Sequence, residues 1–169
     1  TKYINGNGTA LGGVIIDAGK FDWENGKFPE FTEPNPSYHG LNYHEALGAI
    51  AFIAKVRIEG LRDLGSAPSP FNSFQTIQGI ETLDIRFKKQ CENAFAVAAF
   101  LVNHDAVEDV CFPGLVSHKN HNIAKRQQNG LFGGIVSFTL KEDTQEAANQ
   151  FVTNTSCFKL AESLGGVKS

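Results

Sequence analysis

The chain has 169 residues, of which 41% are hydrophobic and 20% are charged, and its formal net charge is −3. These proportions are typical of a folded, soluble domain with a sizeable core. The acidic balance and the scattered Lys and Arg residues argue against a nucleic-acid partner, which would need a clustered basic face. No apolar run approaches the ~20 residues that span a bilayer, so no membrane partner is expected. The three cysteines are far apart and form no CxxC pair, which predicts reduced thiols, a cytoplasmic location and no metal site.

The first element predicted in chain order is a buried strand. The run LGGVIID at residues 11–17 is rich in β-branched residues and begins just before two glycines. Residues 18–40 are rich in proline and aromatic side chains, which predicts an irregular but ordered loop. From 43 to 64 the apolar positions keep helical spacing. Gly65 is then placed to end that helix in a left-handed conformation.

The second half of the chain predicts helices alternating with strands. The prolines of SAPSPF (66–71) indicate a domain junction, with domains at 1–66 and 67–169. Apolar residues then recur at three- and four-residue steps from about 70 to 103, which predicts one helix over ~45 Å long. Strands are predicted at VEDVCF (107–112), GGIVSFTL (133–140) and CFKLAE (157–162). DTQEAANQF (143–151) predicts a helix capped by Asp143, with Glu146 three residues on. This alternation favours an α/β fold.

Lys2 is the first candidate for a chemical role, since it lies between Thr1 and Tyr3 before a glycine-rich turn. Most lysines are solvated surface cations, and the tripeptide alone favours that interpretation. The alternative is an amine that forms an imine with an aldehyde cofactor and then moves protons. The local pattern leaves both open. Tyr3 has no catalytic role in either interpretation.

The segment TKYINGNGTALGGVIID resembles the lysine segment of the pyridoxal-phosphate (PLP) enzymes of cysteine and methionine metabolism. In that family a Ser-x-Thr-Lys-Tyr motif, followed by a Gly-His-Gly turn, supplies the lysine that forms the Schiff base with the cofactor. The resemblance implies that Lys2 carries PLP and that Thr1 helps to bind the cofactor phosphate. Asn7 replaces the usual histidine of the turn.

Longer segments resemble the O-acetylhomoserine sulfhydrylase branch of that family. They are GKFDWENGKFPEFTEPNPSYHGLNYHEALG, RDLGSAPSPFNSF and QGIETLDIRF, whereas KLAESLGGVKS resembles the lyase and synthase branches. The resemblance implies γ-replacement on O-acetyl-L-homoserine with sulfide, which gives homocysteine and acetate. Cystathionine γ-synthase or γ-lyase chemistry, and a non-catalytic truncated product, are the alternatives.

The family also implies an architecture, the aspartate-aminotransferase-like fold type I. Residues 1–66 would form the end of the large, mostly parallel-sheet cofactor domain, and 67–169 most of the small C-terminal α/β domain. We therefore expect the chain to be a fragment of a longer protein. Family members are homotetramers that share active-site residues between subunits, so we expect a homotetramer with a small amino-acid substrate and sulfide as partners.

A second candidate site lies at residues 162–166, ESLGG. The two glycines permit positive φ, so a simple turn is the favoured interpretation from the residues alone. The resemblance implies instead that Ser163 contacts the substrate carboxylate and that Glu162 contributes to substrate choice. His118 and His121 have a spacing that could suit a metal, but no third ligand lies nearby in sequence, and a helix end is favoured.

Overall fold

The computed structural model describes residues 2–161 and 164–167. Three predicted site residues, Thr1, Glu162 and Ser163, lie outside the described residues. The chain divides into two compact units, one of which is Gly13–Ser69, while the other combines the residues up to Gly12 with those from Pro70 onward. The boundary at Ser69 falls within SAPSPF. The grouping differs from a division into 1–66 and 67–169 because the N-terminal segment packs with the later unit.

The Gly13–Ser69 unit is built from short helical elements. Helix α1 spans Pro29–Thr32, α2 spans Tyr43–Leu47 and α3 spans Ala51–Lys55; 3-10 turns cover Pro36–Tyr38 and Gly48–Ile50, and a π-helix covers Val56–Asp63. The helical prediction for 43–64 is confirmed, with an interruption at Gly48, where φ is +52°. Gly65, at φ +73°, follows the last helical residues in the predicted left-handed conformation.

Stacked aromatic rings hold the proline-rich loop of this unit in place. The ring of Trp23 lies 3.9 Å from that of Phe31, nearly parallel to it, and 5.8 Å from that of Phe52. Glu59 of the π-helix also binds this loop, because it accepts hydrogen bonds from the Asn35 amide (2.8 Å) and the Lys55 ammonium (2.6 Å). The prediction of an ordered irregular loop over 18–40 is confirmed, apart from its two short helical turns.

The second unit contains the longer elements. Helix α4 spans Pro70–Glu81, α5 Leu83–Val102, α6 His121–Gln127 and α7 Gln145–Asn154; strands β1 and β2 span Val107–Cys111 and Ser137–Leu140. The two strands pair in antiparallel fashion, with Cys111 opposite Ser137. Phe112 is fully buried at the end of β1 and forms a core with Ala94 and Ala98 of α5. Strands were predicted at both places, and the mixed α/β composition agrees with the predicted class.

Two strand predictions were wrong. The run LGGVIID forms no strand, and its side chains Val14, Ile15 and Ile16 are 78%, 58% and 88% exposed. The described part of CFKLAE, residues 157–161, also contains no strand. A strand needs a hydrogen-bonding neighbour, and no described residue pairs with either run. The mostly parallel sheet expected over 1–66 accordingly has no strand among residues 2–66.

The predicted helix over 70–103 is two helices, because Thr82 breaks the regular backbone with φ −109° and ψ +2°. The Thr82 hydroxyl oxygen accepts a hydrogen bond from Arg86 Nε at 3.0 Å, which stabilises the break. The cap predicted for α7 was also misplaced by one residue. Thr144 is the N-cap, and its Oγ1 accepts from the Ala147 N–H at 3.1 Å. Within the described ranges, no helix is both long and apolar enough to cross a membrane.

Candidate functional site

The segment that follows Lys2 lies against helix α4. Asn5 is 2% exposed, and its amide donates to the Gln75 carbonyl at 3.3 Å while its Oδ1 accepts from the Thr9 N–H at 3.2 Å. Gly79 makes this approach possible. A Cβ at position 79 would lie 2.6 Å from the carbonyl oxygen of Ile4 and closer still to that of Asn5. Only glycine lets the backbone of the segment lie on the helix surface at this point.

The Arg86 side chain, on the first turn of α5, binds the same segment from the other side. Its Nη1 donates to the Tyr3 carbonyl at 3.0 Å, and its Nη2 donates to the carbonyls of Gly79 and Ile4 at 2.7 and 3.3 Å. Gly6 leaves room for this guanidinium, since a Cβ there would lie 2.5 Å from its central carbon. The φ of Gly6, +76°, independently favours glycine.

Tyr3 anchors the segment with both its ring and its hydroxyl. The ring meets that of Phe87 edge-on, at 5.0 Å between centroids and 84° between planes. The hydroxyl oxygen accepts a hydrogen bond from the Gly134 N–H at 3.1 Å. The backbone of Gly165 packs on the Tyr3 ring so closely that a Cβ at 165 would lie 2.9 Å from it. Tyr3 is therefore a structural anchor of the segment.

The structure brings the two predicted site segments together, although they stand at opposite ends of the sequence. The Val167 N–H donates to the Gly6 carbonyl at 2.8 Å, and the Gln90 amide donates to the Gly166 carbonyl at 3.4 Å. Together with the contact between Gly165 and Tyr3, these bonds hold the 164–167 turn beside the lysine segment. The roles predicted for Thr1, Glu162 and Ser163 stay predictions, because those residues lie outside the described ranges.

Two properties of Lys2 are ones that a lysine binding an aldehyde cofactor would need. Its side chain is exposed, and its carbonyl accepts a hydrogen bond from the Gly6 N–H at 2.9 Å. An imine-forming amine needs access to the incoming aldehyde and a backbone held in one position. Lys2 has both, because the next residues are held by Arg86, Gly79 and Gly134. The residues present therefore fit a covalently attached carbonyl cofactor.

Other candidate chemistry is weaker in this unit. Among residues 2–161 and 164–167, no three His, Cys, Asp or Glu side chains are grouped to hold a metal ion. His118 Nδ1 accepts from the Asn120 N–H, and His121 Nδ1 lies 2.9 Å from the Pro113 carbonyl. Cys91 is buried on α5, where burial raises the pKa of its thiol more than a hydrogen bond from the Gly133 backbone lowers it.

The sequence predicted only some of the residues that hold the lysine segment in place. Gly79, Thr82 and Arg86 all lie in QGIETLDIRF, which served as a family signature with no physical role attached. Their role depends on a contact with residues 3–6, far away in sequence. A glycine inside a helical pattern was the available signal, since such a glycine often marks the close approach of another backbone.

Comparison with known proteins agrees with the geometry. The whole chain, residues 1–169, matches the family described as Cys/Met metabolism PLP-dependent enzyme. It is 48% identical over 178 aligned positions to the O-acetyl-L-homoserine sulfhydrylase of Leptospira meyeri, and this match covers 100% of the chain and 40% of that protein. The chain thus spans about two fifths of the length of that curated relative.

Solved structures of longer proteins have the same fold over this region. One is a Campylobacter jejuni protein described as an O-acetylhomoserine (thiol)-lyase, which contains N′-pyridoxyl-lysine-5′-monophosphate. It has a TM-score of 0.79 at 38% identity, over 99% of this chain and 42% of that one. Cystathionine gamma synthase from Xanthomonas oryzae pv. oryzae has a TM-score of 0.68 at 37% identity, over 99% and 35%. The chain belongs to the PLP-dependent enzyme family of cysteine and methionine metabolism.

Proposed function

We propose that the full-length protein containing this chain replaces the acetoxy group of O-acetyl-L-homoserine with sulfide, giving homocysteine and acetate. One observation carries the proposal: the Lys2 segment and the 164–167 turn are joined by the hydrogen bond between Gly6 and Val167. A PLP-dependent γ-replacement needs the cofactor lysine and the substrate-binding loop at one site. The similarity to proteins named sulfhydrylase supports the choice of reaction.

Different residues of the chain would bind the cofactor and the substrate. Lys2 would bind PLP and, once substrate has displaced it, its free amine would move protons at the substrate Cα and Cβ. Thr1 would hydrogen-bond the cofactor phosphate, and Ser163 would bind the substrate carboxylate. When bound, PLP supplies an electron sink for the negative charge that develops on the substrate.

Proton removal at Cα and then at Cβ prepares the substrate for exchange at Cγ. The C–O bond at Cγ would then break, acetate would leave with its electron pair, sulfide would form the new C–S bond, and the protons taken from Cβ and Cα would be returned to those carbons to give homocysteine. Removal of the Lys2 amine would abolish both proton transfers, so it would stop turnover whichever nucleophile the protein uses.

The proposal extends to the architecture of the whole protein. Residues 1–66 would complete the large cofactor domain of a fold type I enzyme, and 67–169 would form most of its small domain. The exposed apolar run at 11–17 suits a strand that needs neighbours from elsewhere in the protein. We propose a cytoplasmic homotetramer, as the resemblance implies.

Cystathionine γ-synthase is the second candidate function. The Xanthomonas structure supports it, as does KLAESLGG at 159–166, in which Glu162 would influence substrate choice. The aromatic segment at 19–48 supports sulfide instead. It is a long segment in which the rings of Trp23 and Phe31 are stacked, and we infer that it narrows the entrance in the full-length protein, admitting sulfide more readily than cysteine.

A competition between nucleophiles tests this choice. The ratio of kcat/KM for sulfide and for cysteine, with O-acetyl-L-homoserine as the common substrate, reports differential binding of the two transition states. We expect sulfide to be favoured. If cysteine were favoured by more than about tenfold, which is ~1.4 kcal/mol, the protein would be a cystathionine γ-synthase. Glu162→Asn tests the loop separately, because a shift towards sulfide would assign the selectivity to residue 162.

A further inference from the structure

The guanidinium of Arg86 donates most of its hydrogen bonds to backbone carbonyls, two of which belong to the residues directly after Lys2. Its N–H groups donate to the carbonyls of Tyr3, Ile4 and Gly79, and Nε donates to the Thr82 hydroxyl. All four acceptors are neutral oxygens, and three of them are backbone carbonyls. An arginine whose role is charge pairing would face carboxylates, so this geometry indicates recognition of a backbone shape.

The segment held by Arg86 has no regular secondary structure that would keep it in position. Residues 2–12 contain no regular helix or strand, and their order depends on contacts with α4, α5 and the 164–167 turn. Arg86 binds the carbonyls of the two residues directly after Lys2, which sets the direction of the chain at the Lys2 Cα. The break between α4 and α5 at Thr82 places the Arg86 side chain within reach of Gly79 and of the segment.

We propose that Arg86 is the positioning residue for the Lys2 amine: by fixing the carbonyls of Tyr3 and Ile4, it sets where that amine meets the cofactor aldehyde. This inference rests on the proposed role of Lys2 and deepens it. Bond formation depends steeply on the distance and angle between the amine and the aldehyde carbon, and a displacement of ~1 Å can cost about 100-fold in rate. Arg86 itself touches neither reacting atom.

Arg86→Lys separates geometry from charge. Lysine keeps the positive charge, but its donors radiate from a single nitrogen, so it cannot reproduce the planar set of bonds to three carbonyls and a hydroxyl. The matched control is Arg126→Lys, at an exposed arginine in the last turn of α6. Both variants are made in the full-length protein, and thermal unfolding and oligomeric state are measured alongside the rate.

The readout is the rate at which Lys2 acquires the cofactor. Apoprotein is mixed with PLP, samples are reduced with borohydride at intervals, and the pyridoxyl group on the Lys2 peptide is quantified by mass spectrometry. We expect Arg86→Lys to slow labelling of Lys2 by about 10- to 100-fold. We expect Arg126→Lys to match the unmodified protein within about twofold and to keep its unfolding temperature, and Arg86→Lys to unfold at a lower temperature while staying folded under the labelling conditions.

Every outcome decides the question. A folded Arg86→Lys variant that labels Lys2 at the normal rate would overturn the inference while leaving the proposed function intact. If Arg86→Lys does not fold, Thr82→Ala removes the acceptor of Arg86 Nε, together with the 3.4 Å hydrogen bond from the Thr82 hydroxyl to the Gly79 carbonyl, and should slow labelling severalfold; a normal rate in that variant would then overturn the inference. If the unmodified protein is never labelled on Lys2, the proposed function fails first, and the role of Arg86 falls with it.

Discussion

The N–H of Val167 donates a hydrogen bond to the carbonyl of Gly6 at 2.8 Å, which joins the two ends of the chain. Neither residue was a predicted site residue, yet each lies within five positions of one. Because backbone atoms make this bond, it fixes the two segments whatever side chains they carry. The contacts around it therefore have consequences that mutation can measure, and the variants below are made in the full-length protein.

Gly165 must be glycine for two separable reasons. Its φ is +80°, and a Cβ would collide with the Tyr3 ring, so Gly165→Ala combines backbone strain of ~1–2 kcal/mol with a steric clash. Gly130→Ala is the matched control, since Gly130 has φ +76° and open space where the Cβ would be. We expect urea denaturation to show a larger loss of stability for Gly165→Ala. Equal losses would show that the contact with Tyr3 contributes nothing.

Gly79→Ala should destabilise the protein although alanine is the better helix former. Helix propensity alone predicts a gain of ~1 kcal/mol, whereas the collision with Ile4 and Asn5 should cost more than that and displace the lysine segment. Gly60→Ala provides the control, because the nearest atom to its Cβ would be Val56 Cγ1 at 3.9 Å. Thermal unfolding should show a lower midpoint for Gly79→Ala and an equal or higher one for Gly60→Ala. A stabilised Gly79→Ala would mean that the segment does not rest on α4.

Thr144 is the N-cap of α7, whereas the sequence predicts Asp143, and the two residues should differ in how much they stabilise the protein. Thr144→Ala removes the acceptor of the Ala147 N–H and should cost ~1 kcal/mol of stability. Asp143→Ala, at the cap expected from the sequence, should cost under ~0.5 kcal/mol, as an exposed substitution. Chemical denaturation of the two variants decides between them, and a larger loss for Asp143→Ala would restore the sequence-based assignment.

Cys91 should need a higher pH to react with alkylating reagents in the native protein than in the unfolded chain. Burial raises the pKa of its thiol above the ordinary 9.0, so at any pH near 9 less of the reactive thiolate is present in the folded protein than in the unfolded chain. The rate of iodoacetamide labelling of Cys91, followed by peptide mapping, should therefore keep rising above pH 9 in native protein. In urea the same thiol should titrate normally. Identical pH profiles in both states would contradict the burial of Cys91.

Local patterns predicted the elements whose partners lie nearby in the chain. The strands β1 and β2 were found from β-branched runs, and Gly65 from its place after a helical pattern. LGGVIID has the same composition as a strand but no described neighbour to pair with, and pairing is not encoded within the run itself. The apolar spacing continues through Thr82 and so gives no sign of the break there, which a hydrogen bond from the Arg86 side chain stabilises.

The site was predictable only through family resemblance. Lys2 is one of many lysines by composition, and periodicity could not distinguish it from a surface cation. The residues that follow Lys2 are held by Gly79, Arg86 and Val167, which lie 77 or more positions from Lys2. Such contacts follow from tertiary packing, which hydrophobic patterns and turn signals do not predict.

The identity of the cofactor lysine is tested most directly by chemical trapping. The full-length protein is saturated with PLP, reduced with borohydride and digested, and the pyridoxyl-bearing peptide is sequenced by mass spectrometry. Lys2→Ala serves as the control and should retain some PLP noncovalently while losing turnover, since the proton-transferring amine is gone. We predict that the pyridoxyl group is found on Lys2. A label on any other lysine, or no label at all, would contradict the assignment of Lys2 as the residue that binds the cofactor.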